Sequence, residues 1–205
     1  VDGDQASLVL SAKSQAANRI WLHFPRGESE SIWGGGEQMS YLRLNGRRYP
    51  FWTSEPGVGR DKTTALTKIM DESGNAGGDW WPANYPQPTW LSSAHYAVHS
   101  HCTHWSALDL SCDGVSTYKC WNSNLTLEFF AEDSLPQLVG ALSERFGKAA
   151  PLPDWAIRGA IVGLKEGEAS FASLEKYADA GAAISGLWCE DWVGIRQTSF
   201  GRRLS

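Results

Sequence analysis

Residues 154–189 read DWAIRGAIVGLKEGEASFASLEKYADAGAAISGLWC, and this stretch decides the fold class. Ile157–Val162 is an apolar run of strand length. Ala169–Ala180 follows with Phe171, Leu174, Ala178 and Gly181 in helical register, and Gly181 stands where a helix C-cap belongs. Ile184–Cys189 is a second apolar run. Strand, helix and strand within about 35 residues form a βαβ unit and imply a parallel sheet. A parallel sheet is covered on both faces, so two strands cannot build its core. A complete (β/α)8 barrel needs roughly 250 residues, and Asp154 to Ser205 supplies only its beginning. The expectation is therefore the first βαβ unit of a truncated (β/α)8 barrel.

Upstream, the period changes twice. Lys148–Pro153 holds two prolines and two alanines and reads as a linker. Ser134–Phe146 places Leu135, Leu138, Leu142 and Phe146 on one helical face, with Ser134 as N-cap. Before that, short runs with alternating or β-branched character are punctuated by turn residues. They are Ser7–Ser14, Arg19–Phe24, Tyr41–Leu44, Arg47–Trp52, Thr63–Met70, Thr89–His99, Trp105–Leu110, Val115–Trp121 and Leu125–Ala131. Asn45-Gly46 and Asp113-Gly114 are hairpin signals, because a type I′ turn needs positive φ at both central residues. Such strands predict a β-sandwich N-terminal domain over residues 1–133, a helix and linker over 134–153, and the start of the barrel over 154–205.

Composition narrows the function. A net charge of −5 offers no field for a phosphate backbone, which argues against nucleic acid. No apolar run approaches the roughly 18 residues of a membrane helix. The four cysteines, Cys102, Cys112, Cys120 and Cys189, lack zinc-ligand spacing and are too sparse for a disulfide scaffold. They read as free, buried thiols in a reducing compartment. Val1 follows neither an initiator Met nor a charged-then-apolar leader, and together these features predict a cytoplasmic protein. The triplet Asn124-Leu125-Thr126 fits a glycosylation sequon, a pattern that matters only in a secreted chain. Eleven Trp are the compositional outlier, open to two readings: sandwich core, or flat faces that stack on sugar rings.

In a barrel, ligand-binding residues lie at the C-terminal ends of the strands. The first strand runs off into Gly163-Leu164-Lys165-Glu166-Gly167, and the second into Cys189-Glu190-Asp191-Trp192, followed by Arg196, Arg202 and Arg203. A cation, a carboxylate and an arginine at one mouth would make a polar pocket. Solvated loop charge is the competing reading, and position alone does not choose between them.

Several ordered motifs do. Gly36-Glu37-Gln38-Met39-Ser40-Tyr41, Pro50-Phe51-Trp52-Thr53-Ser54-Glu55-Pro56-Gly57-Val58-Gly59-Arg60, Asn75-Ala76-Gly77-Gly78-Asp79 and Pro86-Gln87-Pro88-Thr89 resemble the N-terminal domain of sulfoquinovosidases, in glycoside hydrolase family 31. Leu152-Pro153-Asp154-Trp155, Gly163-Leu164-Lys165, the run from Gly186 to Arg196, and Thr198-Ser199-Phe200-Gly201-Arg202-Arg203 resemble the first barrel strands of the same enzymes. The resemblance implies hydrolysis of α-glycosides of sulfoquinovose, a glucose carrying sulfonate in place of the 6-hydroxyl. The substrate would be sulfoquinovosyl glycerol or another small glycoside derived from sulfolipid.

On this chain Lys165 and Glu190 match the Lys/Glu pair that one branch of the family uses at its sugar-binding positions, and Arg203 matches the accompanying Arg. A sulfonate is ionised at neutral pH, so enclosing it requires a donor cluster, which an arginine fork supplies. An α-glucosidase for neutral sugars would instead present an acidic residue to the 6-hydroxyl. The resemblance also implies a retaining mechanism with two Asp about 5 Å apart, both in the part of the barrel that follows Ser205. No catalytic residue is therefore assigned here, and this chain alone is expected to be inactive. Glu190 and Asp191 are adjacent and would face opposite sides of a strand, which argues against a catalytic pair.

Glu37, after three glycines, is either at the active-site mouth or part of a structural turn. Arg60 either pairs with a carboxylate across the domain interface or is solvated. No cofactor or metal is expected. The alternatives are a family 31 α-glucosidase acting on neutral sugars, and a non-catalytic carbohydrate-binding β-module.

Overall fold

The computed structural model describes residues 4–14, 16–54, 56–57, 59–73, 78–164, 167–189, 196–197 and 203–204. The chain divides into two compact units, 1–147 and 148–205.

Among the described residues of the first unit, nine strands make two antiparallel sheets. β1 (Asp4–Ser11), β3 (Ile32–Gly36), β5 (Pro86–Ser92), β6 (Tyr96–Ser100) and β9 (Asn124–Ala131) form one, in the order β1-β9-β6-β5-β3. β2 (Ile20–Pro25), β4 (Arg48–Phe51), β7 (Ser106–Asp109) and β8 (Val115–Cys120) form the other, in the order β2-β8-β7-β4. The period-two pattern explains their faces. On β2, Ile20, Leu22 and Phe24 turn toward the core, while Trp21 and His23 turn out. Both sheets contribute to one core, including Ile32, Trp90, Val98, Leu125 and Leu127 from the first and Tyr49, Leu108 and Tyr118 from the second. Aromatic contacts bridge them: Trp90 stacks on Tyr118 with centroids 5.3 Å apart, and Phe24 meets Phe129 edge-on at 6.1 Å. This is the β-sandwich expected from the turn-punctuated strands.

Several boundaries differ from expectation. Tyr41–Leu44 is not a strand; Leu44 is a buried loop residue whose N–H donates to the Ile32 carbonyl. Asn45-Gly46 is consequently a turn leading into β4 rather than a hairpin, with Gly46 at φ +78°. The Asn45 side chain instead ties the loop down, accepting from Ile32 N–H and donating to the Glu30 carbonyl. Asp113-Gly114 does close the β7–β8 hairpin. Thr63–Met70 is not a strand either, because a capped helix, α1 (Ala65–Glu72), begins there. Thr89–His99 is two strands, β5 and β6, joined by a turn at His95, which takes φ +63°.

α2 (Leu135–Phe146) follows β9 and packs Leu138 against Ala97 and Phe130. Ser134 holds the N-cap position, yet its hydroxyl donates to Gln137 Oε1 rather than capping a backbone N–H. The cysteines are unpaired, but only Cys120 is buried; Cys102 is half-buried, and Cys112 and Cys189 are exposed, contrary to four buried thiols.

The second unit opens with a short helix, α3 (Asp154–Arg158), so Ile157 is helical and the strand begins later than expected, as β10 (Ala160–Leu164). α4 (Ser170–Asp179) crosses to β11 (Ile184–Cys189), which pairs parallel with β10. Gly181, at φ +77°, follows the C-cap residue Ala180 and supplies the left-handed turn that ends α4. A short antiparallel pair, β12 (Arg196–Gln197) and β13 (Arg203–Leu204), completes the described part.

Candidate functional site

The parallel pair fixes where its strands end. Leu164 and Cys189 are register partners and the last residues of β10 and β11. Lys165 and Glu190 follow them in sequence and lie outside the described residues, as do Asp191 and Trp192. Arg203 is on β13, with its backbone opposite Gln197.

Glu37 sits in the first unit, after β3. Its N–H donates to the Tyr85 carbonyl at 3.1 Å and it is exposed. The glycines before it have a structural cause. Gly35 takes φ +89° and passes so close under the Tyr49 ring that a Cβ would stand 2.3 Å from Cε1. The Tyr49 hydroxyl donates to the Gly35 carbonyl at 2.9 Å. At Gly36, φ +97°, a Cβ would lie 2.3 Å from the Tyr85 carbonyl oxygen. The close approach of the Tyr49 ring at Gly35 and of facing backbone at Gly34 and Gly36 therefore accounts for the glycine run without any ligand.

The motif loops that follow converge beside it. Gln38 organises residues 38–41: its Oε1 accepts from the N–H groups of Ser40 and Tyr41, and its Nε2 donates to the Tyr41 carbonyl. The Tyr41 hydroxyl donates to Asp61 Oδ2 at 3.0 Å, and the Arg47 guanidinium lies 3.6 Å from the Tyr41 ring centroid. Thr63 donates to Asp61 Oδ1 through its hydroxyl and its N–H. That Thr63 hydroxyl bond, with lesser help from the Thr63 N–H, Tyr41 and Arg47, outweighs burial and holds the Asp61 carboxyl below its ordinary range. Asp79 accepts from the N–H groups of Lys62 and Trp80. Together Arg47, Arg48, Asp61, Asp79, Trp81 and Trp105 line a cavity of about 660 Å³. Asp61 and Arg47 were not singled out from the sequence, because their relation crosses several turns and follows no fixed spacing.

The tryptophans divide between core and surface. Trp80 and Trp90 are core residues, whereas Trp21, Trp52, Trp121, Trp155 and Trp188 are exposed. Among the described residues no group of three or more His, Cys, Asp or Glu side chains is placed to hold a metal. No described helix is long and apolar enough to cross a membrane.

The chain is similar to a family 31 sulfoquinovosidase from E. rectale, solved with the aza-sugar inhibitor IFGSQ, at a TM-score of 0.85 and 39% identity; the match covers 98% of this chain and 30% of that one. In sequence it is similar to sulfoquinovosidases specifically. The Agrobacterium fabrum enzyme is 53% identical over 201 residues and the Escherichia coli enzyme 37% over 204, each match covering 98% of this chain. This chain spans about 30% of the length of both relatives. No family model matches it.

Proposed function

We propose that this chain is the N-terminal part of a retaining sulfoquinovosidase, comprising its sandwich domain and the first βαβ unit of its (β/α)8 barrel. The observation that carries the reading is 53% identity to a sulfoquinovosidase along 98% of the chain. The domain limits proposed are 1–133, 134–153 and 154–205. Lys165 and Glu190 orient ring hydroxyls of the sugar, and Arg203 receives the sulfonate. Two observations support this assignment. Lys165 and Glu190 each directly follow one member of the Leu164–Cys189 strand-end pair. Arg203 belongs to the same compact unit.

The physical logic is charge matching. A sulfonate entering a pocket sheds strongly bound water, and a planar guanidinium replaces it with two parallel, charge-assisted hydrogen bonds. Lys165 donates to hydroxyl oxygens, and Glu190 accepts from hydroxyl protons. Glu37, an exposed carboxylate on a loop whose course is fixed by its glycines, is the remaining proposed substrate-binding residue. The substrate is a small α-glycoside of sulfoquinovose. Four unpaired thiols fit a reducing compartment, and we place the protein in the cytoplasm.

The test is substitution at Arg203 in the protein that contains this chain. Arg203→Lys keeps the charge and loses the fork, and is expected to lower kcat/KM on an aryl α-sulfoquinovoside by roughly 100-fold. Unchanged kinetics would reject the role given to Arg203.

A further inference from the structure

Within the sandwich core lies a small polar cluster that carbohydrate chemistry does not use. Cys120, the last residue of β8, is fully buried on the inner face of its sheet. Cys102 sits in the connection that leaves β6 in one sheet and enters β7 in the other. Contacts on either side set the two thiols side by side, Tyr118 with Ser100 and Asn122 with His104, and Cys102 packs against the core cluster that holds Cys120. Ser100 Oγ accepts from both the Tyr118 hydroxyl at 2.7 Å and the Cys102 N–H at 3.2 Å, and the Cys102 S–H donates to the His104 carbonyl at 3.5 Å. Cys102 also borders a cavity of about 360 Å³, shared with Phe51, Trp52, His104 and Trp105.

We infer that Cys102 and Cys120 form a redox-active thiol pair that a small peroxide closes into a disulfide, with Cys102 as the attacking sulfur and Cys120 as the resolving one. The surroundings assign the roles. Cys102 alone of the two opens on a cavity able to admit a small oxidant. The neighbouring Cys120 thiol, then His104 and Tyr118 against the opposing effect of burial, lowers the Cys102 pKa, whereas the neighbouring Cys102 and burial raise that of Cys120.

The chemistry balances in two steps. The Cys102 thiolate attacks one peroxide oxygen, the O–O bond breaks, and the departing hydroxide takes up the proton that the Cys102 thiol had released and leaves as water, with Cys102 oxidised to a sulfenic acid. Cys120 then attacks the Cys102 sulfur, losing its proton as the S–O bond breaks and a second water departs. Two thiols and one peroxide become one disulfide and two waters. The new bond ties the inter-sheet connection to the end of β8.

The test is peptide mapping of the reduced protein after a short exposure to hydrogen peroxide near neutral pH, followed by alkylation. Cys112 and Cys189 are exposed and serve as internal comparisons. The expected result is loss of two of this chain's four thiols, recovery of a reducible cross-link between the Cys102 and Cys120 peptides, and alkylated Cys112 and Cys189. In Cys120→Ala the cross-link disappears, and dimedone traps Cys102 as a sulfenic acid. The wild-type map stands on its own should that variant fold poorly. Cys102 and Cys120 both recovered in alkylated form would overturn the inference, whether or not Cys112 or Cys189 had been oxidised.

Discussion

Glu30 is a buried carboxylate in the sandwich, and it explains how three segments are tied together. Its oxygens accept from Ser92 Oγ at 2.5 Å, the Tyr96 hydroxyl at 2.7 Å and the Gly27 N–H at 2.8 Å. Burial alone would raise its pKa. The bonds from Ser92, Tyr96 and Gly27, with the nearby Arg26 charge, outweigh that and hold it below the usual value. A pKa lower in the folded than in the unfolded chain contributes stability that is present above the unfolded value, about 4.3, and is lost as pH falls through the folded one. Glu30→Gln should therefore cost about 1–3 kcal/mol at neutral pH, by leaving buried donors poorly matched. Urea unfolding at about pH 7 and about pH 3 checks both parts. The difference between wild type and variant should narrow in acid; an equal difference at both would show that the carboxylate charge is not what stabilises the site.

At the scale of elements, α1 shows local hydrogen bonding overriding a β-like composition. Thr63, Thr64, Thr67 and Ile69 read as strand residues. Thr64, however, takes an extended N-cap conformation, accepts from the Thr67 N–H, and donates its own hydroxyl to the Asp61 carbonyl. Thr64→Ala should cost about 1 kcal/mol, seen as a lower urea midpoint; an unchanged midpoint would mean that tertiary contacts, not the cap, hold the helix. The β5–β6 turn was hidden for a related reason. Ser92 closes it by accepting from the Ala94 N–H through its hydroxyl and from the His95 N–H through its carbonyl, so no Asn-Gly or Asp-Gly is needed. β3 was missed because its glycines look like loop, although they serve close backbone contact. By contrast, β8, β9, α4 and β11 were legible within a residue or two, since each has an uninterrupted apolar period and an ordinary terminator.

For the whole molecule, the sandwich was readable because turn-spaced strands with buried alternate residues have few other solutions. The parallel β10–β11 pair was readable because a helix of the right length separates two apolar runs. The convergence of Asp61, Tyr41 and Arg47 was not, because it is made by loops whose path depends on the assembled core. The roles proposed for Lys165, Glu190 and Arg203 rest on motif order and on the charge of the substrate they would meet, and so concern specificity rather than folding. The most direct measurement compares kcat/KM of the complete protein on paired aryl α-glycosides, one of sulfoquinovose and one of glucose. A preference of about 1,000-fold or more for the sulfonated sugar is expected, because a guanidinium placed to receive a sulfonate loses its partner when a neutral 6-hydroxyl takes that position. Equal or greater activity on the glucoside would contradict the account.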